Sequence, residues 1–201
     1  MMSELSIYIH WPYCLSKCPY CDFNSHVSDK KIDQEEFLEL IEKEIDYHGK
    51  YIDNKKISSI FFGGGTPSLM DPNIIERILA RLSSRCSIEN DTEITMEANP
   101  TSVELQKFRD YSNIGINRIS IGVQSLDNDD LKNLGRTHTA ELAIKAIGIA
   151  QRYFDSVSID LIYARPGQNE KTWKLELERA LSLQTQHLSL YQLTIEPNTI
   201  Y

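Results

Sequence analysis

Six short apolar runs rich in β-branched residues, separated by stretches long enough for helices, constrain the fold of this 201-residue chain more than any other feature. The runs are LSIYIH (5–10), ISSIFF (57–62), TEITMEA (92–98), NRISIGV (117–123), VSIDLIY (157–163) and HLSLYQLTI (187–195). Their length and composition predict strands. Near-continuous apolar character in several of them suits strands covered on both faces. Between the runs, residues 33–48 space Phe37, Leu38, Ile41 and Ile45 as one helical stripe. Residues 71–82 open with Asp71-Pro72, a cap followed by a favoured first helical residue, and continue with Ile74, Ile75, Ile78, Leu79 and Leu82. Shorter helical patterns follow at 102–111, 140–153 and 170–183. Strands alternating with helices imply right-handed βαβ crossovers and a parallel sheet. A full eight-fold barrel typically takes roughly 250 residues. Six strands therefore predict an α/β fold, either a partial (β/α)6 barrel of the TIM type or an open sheet. Residues 1–201 read as one domain.

The unusual residues collect where these strands end. CLSKCPYCDFNSH (14–26) follows the first strand, GGGTP (63–67) the second, Glu97-Ala98-Asn99-Pro100 the third and Gln124-Ser125 the fourth. Asp160 interrupts the fifth strand, and Tyr191 and Gln192 sit in the sixth. Parallel α/β folds bind cofactors and substrates at the carboxyl ends of their strands, so these motifs converge on one rim.

Cys14, Cys18 and Cys21 are spaced C-x3-C-x2-C, and the fourth cysteine, Cys86, is remote. Such spacing in a reduced compartment favours metal or redox chemistry over a disulfide framework. Three thiolates can hold three irons of a four-iron cluster and leave one iron open. A zinc site completed by His10 or His26, and thiols that only pack or form a redox pair, are the competing readings. GGGTP reads either as a tight strand-to-helix turn or as exposed N–H groups for a polar ligand, and no Walker loop follows. Asp160 reads as a buried carboxylate that needs hydrogen bonds or a cation. His138 reads as a surface histidine at a helix start, and Cys86 as a small packed residue. A net charge of −8 and a pI of about 5.1 argue against nucleic acid as a partner. The start, MMSELSIYIH, has no leader pattern, and no apolar run is long enough to span a membrane, so the expected compartment is the cytoplasm.

The cysteine motif with Tyr20 before its last thiol, followed one strand later by GGGTP, resembles the radical S-adenosylmethionine (SAM) superfamily. The blocks YIHWPYCLSKCPYCDFNSH, FFGGGTPSL, EITMEANP, NRISIGVQS, LGRTH and HLSLYQLTIEPNT are similar to the HemW haem-chaperone family, relatives of oxygen-independent coproporphyrinogen III oxidase. The resemblance implies the partial barrel of the radical SAM core. It implies that Cys14, Cys18 and Cys21 ligate a 4Fe–4S cluster whose free iron takes SAM. Tyr8, Gly64 and Glu97 match contacts to this SAM. Tyr20, Gly65, Thr66, Gln124, Arg136 and Asp160 match positions that hold a second SAM in the oxidase. Haem or a porphyrin would be the ligand, and a haem-accepting protein the partner.

Two departures refine the expectation. The oxidase carries a cysteine two positions after the third, whereas this chain has Cys21-Asp22-Phe23, which favours the chaperone over radical decarboxylation. In DLIYARPGQ, Ala164 and Arg165 replace the family's Gly-Leu, and an Arg at a packed position needs solvent or a carboxylate. The family also runs on for about as long again. A C-terminal domain is therefore expected to be missing, leaving a truncated core or a non-catalytic remnant with an apolar edge at its last strand and poor solubility.

Overall fold

The computed structural model describes residues 4–27, 32–197 and 199–201. The first three residues of the leader reading, and Asn198 of the last family block, lie outside them. In chain order the strands and helices are β1 (Glu4–Trp11), β2 (Tyr13–Cys14), β3 (His26–Val27), α1 (Gln34–Tyr47), α2 (Gly49–Ile52), β4 (Lys56–Gly64), α3 (Pro72–Ser83) and β5 (Ser87–Ala98). They continue with α4 (Ser102–Leu105), α5 (Phe108–Asn113), β6 (Arg118–Gln124), α6 (Asn128–Asn133), α7 (Ala140–Tyr153), β7 (Ser156–Tyr163), α8 (Glu170–Leu181) and β8 (His187–Gln192). The six long strands pair in parallel in the order β1-β4-β5-β6-β7-β8 and form a curled half-barrel. That is the partial barrel rather than the open doubly wound sheet.

Side-chain alternation explains how the sheet is covered. Ile94, Met96 and Ala98 of β5, Ile119, Ile121 and Val123 of β6, and Val157, Ile159 and Leu161 of β7 are buried, each two residues from the next. They share one core with the helices, where Ile75, Ile78 and Leu82 of α3 and Phe108 and Tyr111 of α5 are fully enclosed. The opposite face carries polar side chains, joined by hydrogen bonds from Arg118 to Thr95 (3.2 Å) and from Ser120 to Asp160 (3.1 Å). The strands are thus covered by helices on one face only, and the other is left for the site.

Each major helix starts where a cap prescribes. Asp33 accepts from the N–H groups of Glu35 and Glu36, and Asp71 from that of Asn73 with Pro72 in the first turn. Asn169 and Thr172 close a reciprocal capping box on α8. Each cap is worth about 1 kcal/mol.

Several expectations change. The helix expected over 102–111 is two short helices, α4 and α5. Between them, the Lys107 ammonium reaches 3.0 Å to the carbonyls of both Leu69 and Met70. The last strand ends at Gln192, not at 195. His138 is buried rather than on the surface. Its Nε2 lies 3.0 Å from the Val123 carbonyl, and burial pushes its pKa down to about 4, so the ring is neutral. Cys86 is buried, with its thiol on the Leu82 carbonyl at 3.0 Å. Arg165 is buried and finds its carboxylates, Asp130 at 2.8 Å and Glu176 at 2.5 Å. Ala164 adopts φ +60°, the left-handed conformation that glycine takes freely.

Candidate functional site

Backbone pairing holds the cysteine loop at the carboxyl end of β1. Tyr13–Cys14 pairs with His26–Val27, and the His26 N–H donates to Pro12 at 2.7 Å, so both ends of the loop are tied together. A turn bond from the Cys21 N–H to Cys18 O (3.1 Å) sets the middle. Two side chains brace it: Lys17 Nζ donates to Ser25 O at 3.2 Å, and His10 Nε2 lies 2.9 Å from Asn24 O. The three thiols are free, half-buried and line the same cavity, of about 340 Å³.

GGGTP brings the second strand's exit against this loop. The Gly65 N–H donates to Trp11 O at 2.6 Å and the Thr66 N–H to Tyr13 O at 2.9 Å. A Cβ on Gly65 would stand 2.6 Å from Tyr13 O, and Gly64 sits at φ +116°, so both positions require glycine. The Gly64 N–H donates to Glu97 Oε2 at 3.1 Å. These N–H groups serve the protein's own contacts, and the glycines let two backbones touch. The Thr66 hydroxyl donates to Cys14 Sγ at 3.5 Å.

Gly135 has φ +67°, and a Cβ there would lie 2.6 Å from Pro19 Cδ, so the loop after α6 packs directly on the cysteine loop. That contact carries Arg136 inward. Its Nη1 donates to Cys18 Sγ at 3.4 Å, and its Nη2 to Asn99 Oδ1 at 2.5 Å and to Gly122 O at 2.9 Å. Its Nε is buried without a partner.

Tyr20, Gly64, Gly65 and Thr66 line the cavity, as do Glu97, Gln124, Arg136 and Asp160. Tyr8 does not. It is more than half exposed, stacks on Phe61 with ring centroids 5.9 Å apart, and has its hydroxyl 3.4 Å from His10 Nδ1. Asn99, Ser120, Tyr191 and Glu104 also line the cavity and were not among the sequence candidates. Asn99 and Tyr191 lay within the rim motifs, but a single Asn or Tyr carries no chemical signal without its neighbours.

The site is electrostatically mixed. Burial pushes Glu97 up to about 7, against the lowering effect of the Gly64 hydrogen bond. Asp160 is also raised by burial, opposed by hydrogen bonds from Ser120 and Ser189. Burial raises the Cys14 thiol and the Tyr20 phenol as well. Such perturbed groups gathered in a cleft mark a functional site.

The donor set suits a cluster. Among the described residues no three His, Cys, Asp or Glu side chains converge as ligands of a single ion. Thiolates on separate irons of a cube stand further apart than ligands within one coordination shell. Three half-buried thiols around one cavity, two of them receiving hydrogen bonds, match that requirement.

A family model described as the radical SAM superfamily matches residues 8–180. The heme chaperone HemW of Escherichia coli K12 is 42% identical over 201 residues, covering all of this chain and 53% of that protein. The mitochondrial radical S-adenosyl methionine domain-containing protein 1 of Danio rerio is 40% identical, covering 98% of this chain and 44% of that one. The chain thus spans about half the length of the curated relatives it matches. Among solved structures, coproporphyrinogen III oxidase (HemN) from Escherichia coli, a radical SAM enzyme, superposes with a TM-score of 0.89 at 27% identity, over 100% of this chain and 46% of that one. The radical SAM methyltransferase TsrM from Kitasatospora setae shares the fold at a TM-score of 0.68 and 12% identity, covering 99% of this chain and 38% of that one.

Proposed function

The chain belongs to the radical SAM superfamily, and from that premise we propose that it is the cluster- and SAM-binding core of a HemW-type haem chaperone acting in the cytoplasm. The observation that carries this reading is the ring of Cys14, Cys18 and Cys21 around the cavity that also holds Glu97, Arg136 and Asp160. The three cysteines would hold a 4Fe–4S cluster, which supplies one-electron reduction of a SAM sulfonium when both are bound. The chain's own residues orient and shield. Thr66 and Arg136 present donors to the sulfurs, and the Glu97 and Asp160 carboxylates favour the cationic amino and sulfonium groups of the nucleotide. Tyr8, more than half exposed on β1, would meet the nucleotide from outside the cavity lining. Among the described residues no helix is long and apolar enough to cross a membrane.

A second reading, radical decarboxylation of a porphyrinogen, draws on the superposition with the oxidase. Asp22-Phe23 in place of a cysteine after Cys21 weighs against it. The two are separated by loading the chain with iron and sulfide without oxygen, then supplying SAM and reductant with coproporphyrinogen or with haem. The chaperone reading expects haem binding and no decarboxylated product. Turnover of the porphyrinogen would reverse the preference.

A further inference from the structure

We propose that Asn99 is a positioning residue for the cluster: its amide holds two separate hydrogen-bond donors against two of the three cysteine sulfurs. The inference rests on the cluster-binding reading above and concerns a residue that carries no thiol or charge. Asn99 Nδ2 donates to Thr66 Oγ1 at 3.1 Å, and Asn99 Oδ1 accepts from Arg136 Nη2 at 2.5 Å. Thr66 then donates to Cys14 Sγ at 3.5 Å, and Arg136 Nη1 to Cys18 Sγ at 3.4 Å. The first and second thiols of the cysteine motif are thereby linked through one side chain.

The chemistry of the groups fixes the direction of every bond. A guanidinium only donates, so the amide oxygen must face Arg136 and the amide NH₂ must face Thr66. Because Thr66 accepts from that NH₂, its single hydroxyl proton is left for the sulfur of Cys14. Asn99 is itself pinned, since its backbone N–H donates to Glu104 Oε2 at 2.7 Å. Glu104 is almost fully buried and also takes hydrogen bonds from Ser68 and, at 3.0 Å, from Thr101. The amide therefore sits on a rigid anchor rather than on a free loop.

Hydrogen bonds to cluster sulfurs stabilise the reduced, more negative state and raise the reduction potential. Removing the amide NH₂ frees the Thr66 proton to turn away from Cys14. Truncation to Ala also leaves Arg136 Nη2 held by Gly122 O alone, which loosens its aim at Cys18, so the potential should fall. The test is a potential titration, followed by electron paramagnetic resonance, of the full chain loaded anaerobically with iron and sulfide. Wild type is read first, then Asn99→Ala, the near-isosteric Asn99→Asp, Thr66→Val and Thr66→Ser. We expect more negative potentials for Asn99→Ala, Asn99→Asp and Thr66→Val, and the wild-type value for Thr66→Ser. Asn99→Ala should add less in the Thr66→Val background than alone. Either loaded Asn99 variant at the wild-type potential would overturn the proposal. A wild-type chain that takes up no cluster would overturn the underlying reading as well, and that result is seen before any substitution is made.

Discussion

Glu97 is the residue whose ionisation the site controls most directly. Burial holds its pKa near 7, above the 4.5 of a free glutamate. The folded state therefore binds a proton that the unfolded state releases between these values. The resulting stability is fully present below about pH 4.5 and is lost as pH rises through about 7. The loss is on the order of 2 kcal/mol after allowing for water access. Thermal melts of Glu97→Gln between pH 4.5 and 8 should show a shallower decline than wild type, and parallel curves would refute the assignment. A cationic nucleotide reverses the preference, because it favours the carboxylate. SAM affinity measured by calorimetry should rise with pH through about 7 in wild type and lose that dependence in Glu97→Gln.

The loop from β7 to α8 shows how a buried cation is absorbed at the scale of elements. Arg165 joins Asp130 of α6 to Glu176 of α8, and Glu176 also accepts from Ser125 Oγ (2.6 Å) and Leu126 N (2.8 Å) at the exit of β6. One buried cation thus locks two helices to the ends of two strands. Arg165→Leu leaves Glu176 enclosed without its cation. It should lower stability by about 3 kcal/mol in denaturant unfolding. Adding Glu176→Gln should recover part of the loss, and additive effects would show that the pair is not coupled. This compensation was invisible in the sequence, since Asp130, Arg165 and Glu176 are separated by helical turns that only the fold brings together. The strands were legible because Ile119, Ile121, Val123 and their equivalents repeat with period two between clear turns. The break between α4 and α5 was not, because tertiary anchoring of Glu104 and Lys107 outweighs the continuous helical pattern of 102–111. His138 is buried against the Val123 carbonyl for the same kind of reason. The packing of Gly135 on Pro19 folds its turn inward.

Across the whole molecule, the half-barrel ends in β8, which pairs only with β7 among the described strands and exposes Leu190 and Tyr191. Such an edge invites pairing with another chain. The isolated 201-residue chain should associate with rising concentration in gel filtration, and Leu190→Lys should reduce that association. A wild-type chain that stays monomeric at high concentration would contradict this. The convergence of the motifs on one rim was readable from the sequence, because parallel topology forces strand exits together. Tyr8 could not be placed in that way, because it belongs to the body of β1 rather than to its exit, and it stands outside the cavity lining. Asn99 carries no signal in the sequence, because its contacts to Thr66 and Arg136 exist only in the fold. The most direct measurement is iron and sulfide content with the visible spectrum after anaerobic reconstitution of wild type and of four single Cys→Ala variants, at positions 14, 18, 21 and 86. The account predicts a 4Fe–4S spectrum in wild type and Cys86→Ala and its loss in Cys14→Ala, Cys18→Ala and Cys21→Ala. A full cluster spectrum retained in Cys18→Ala would contradict it.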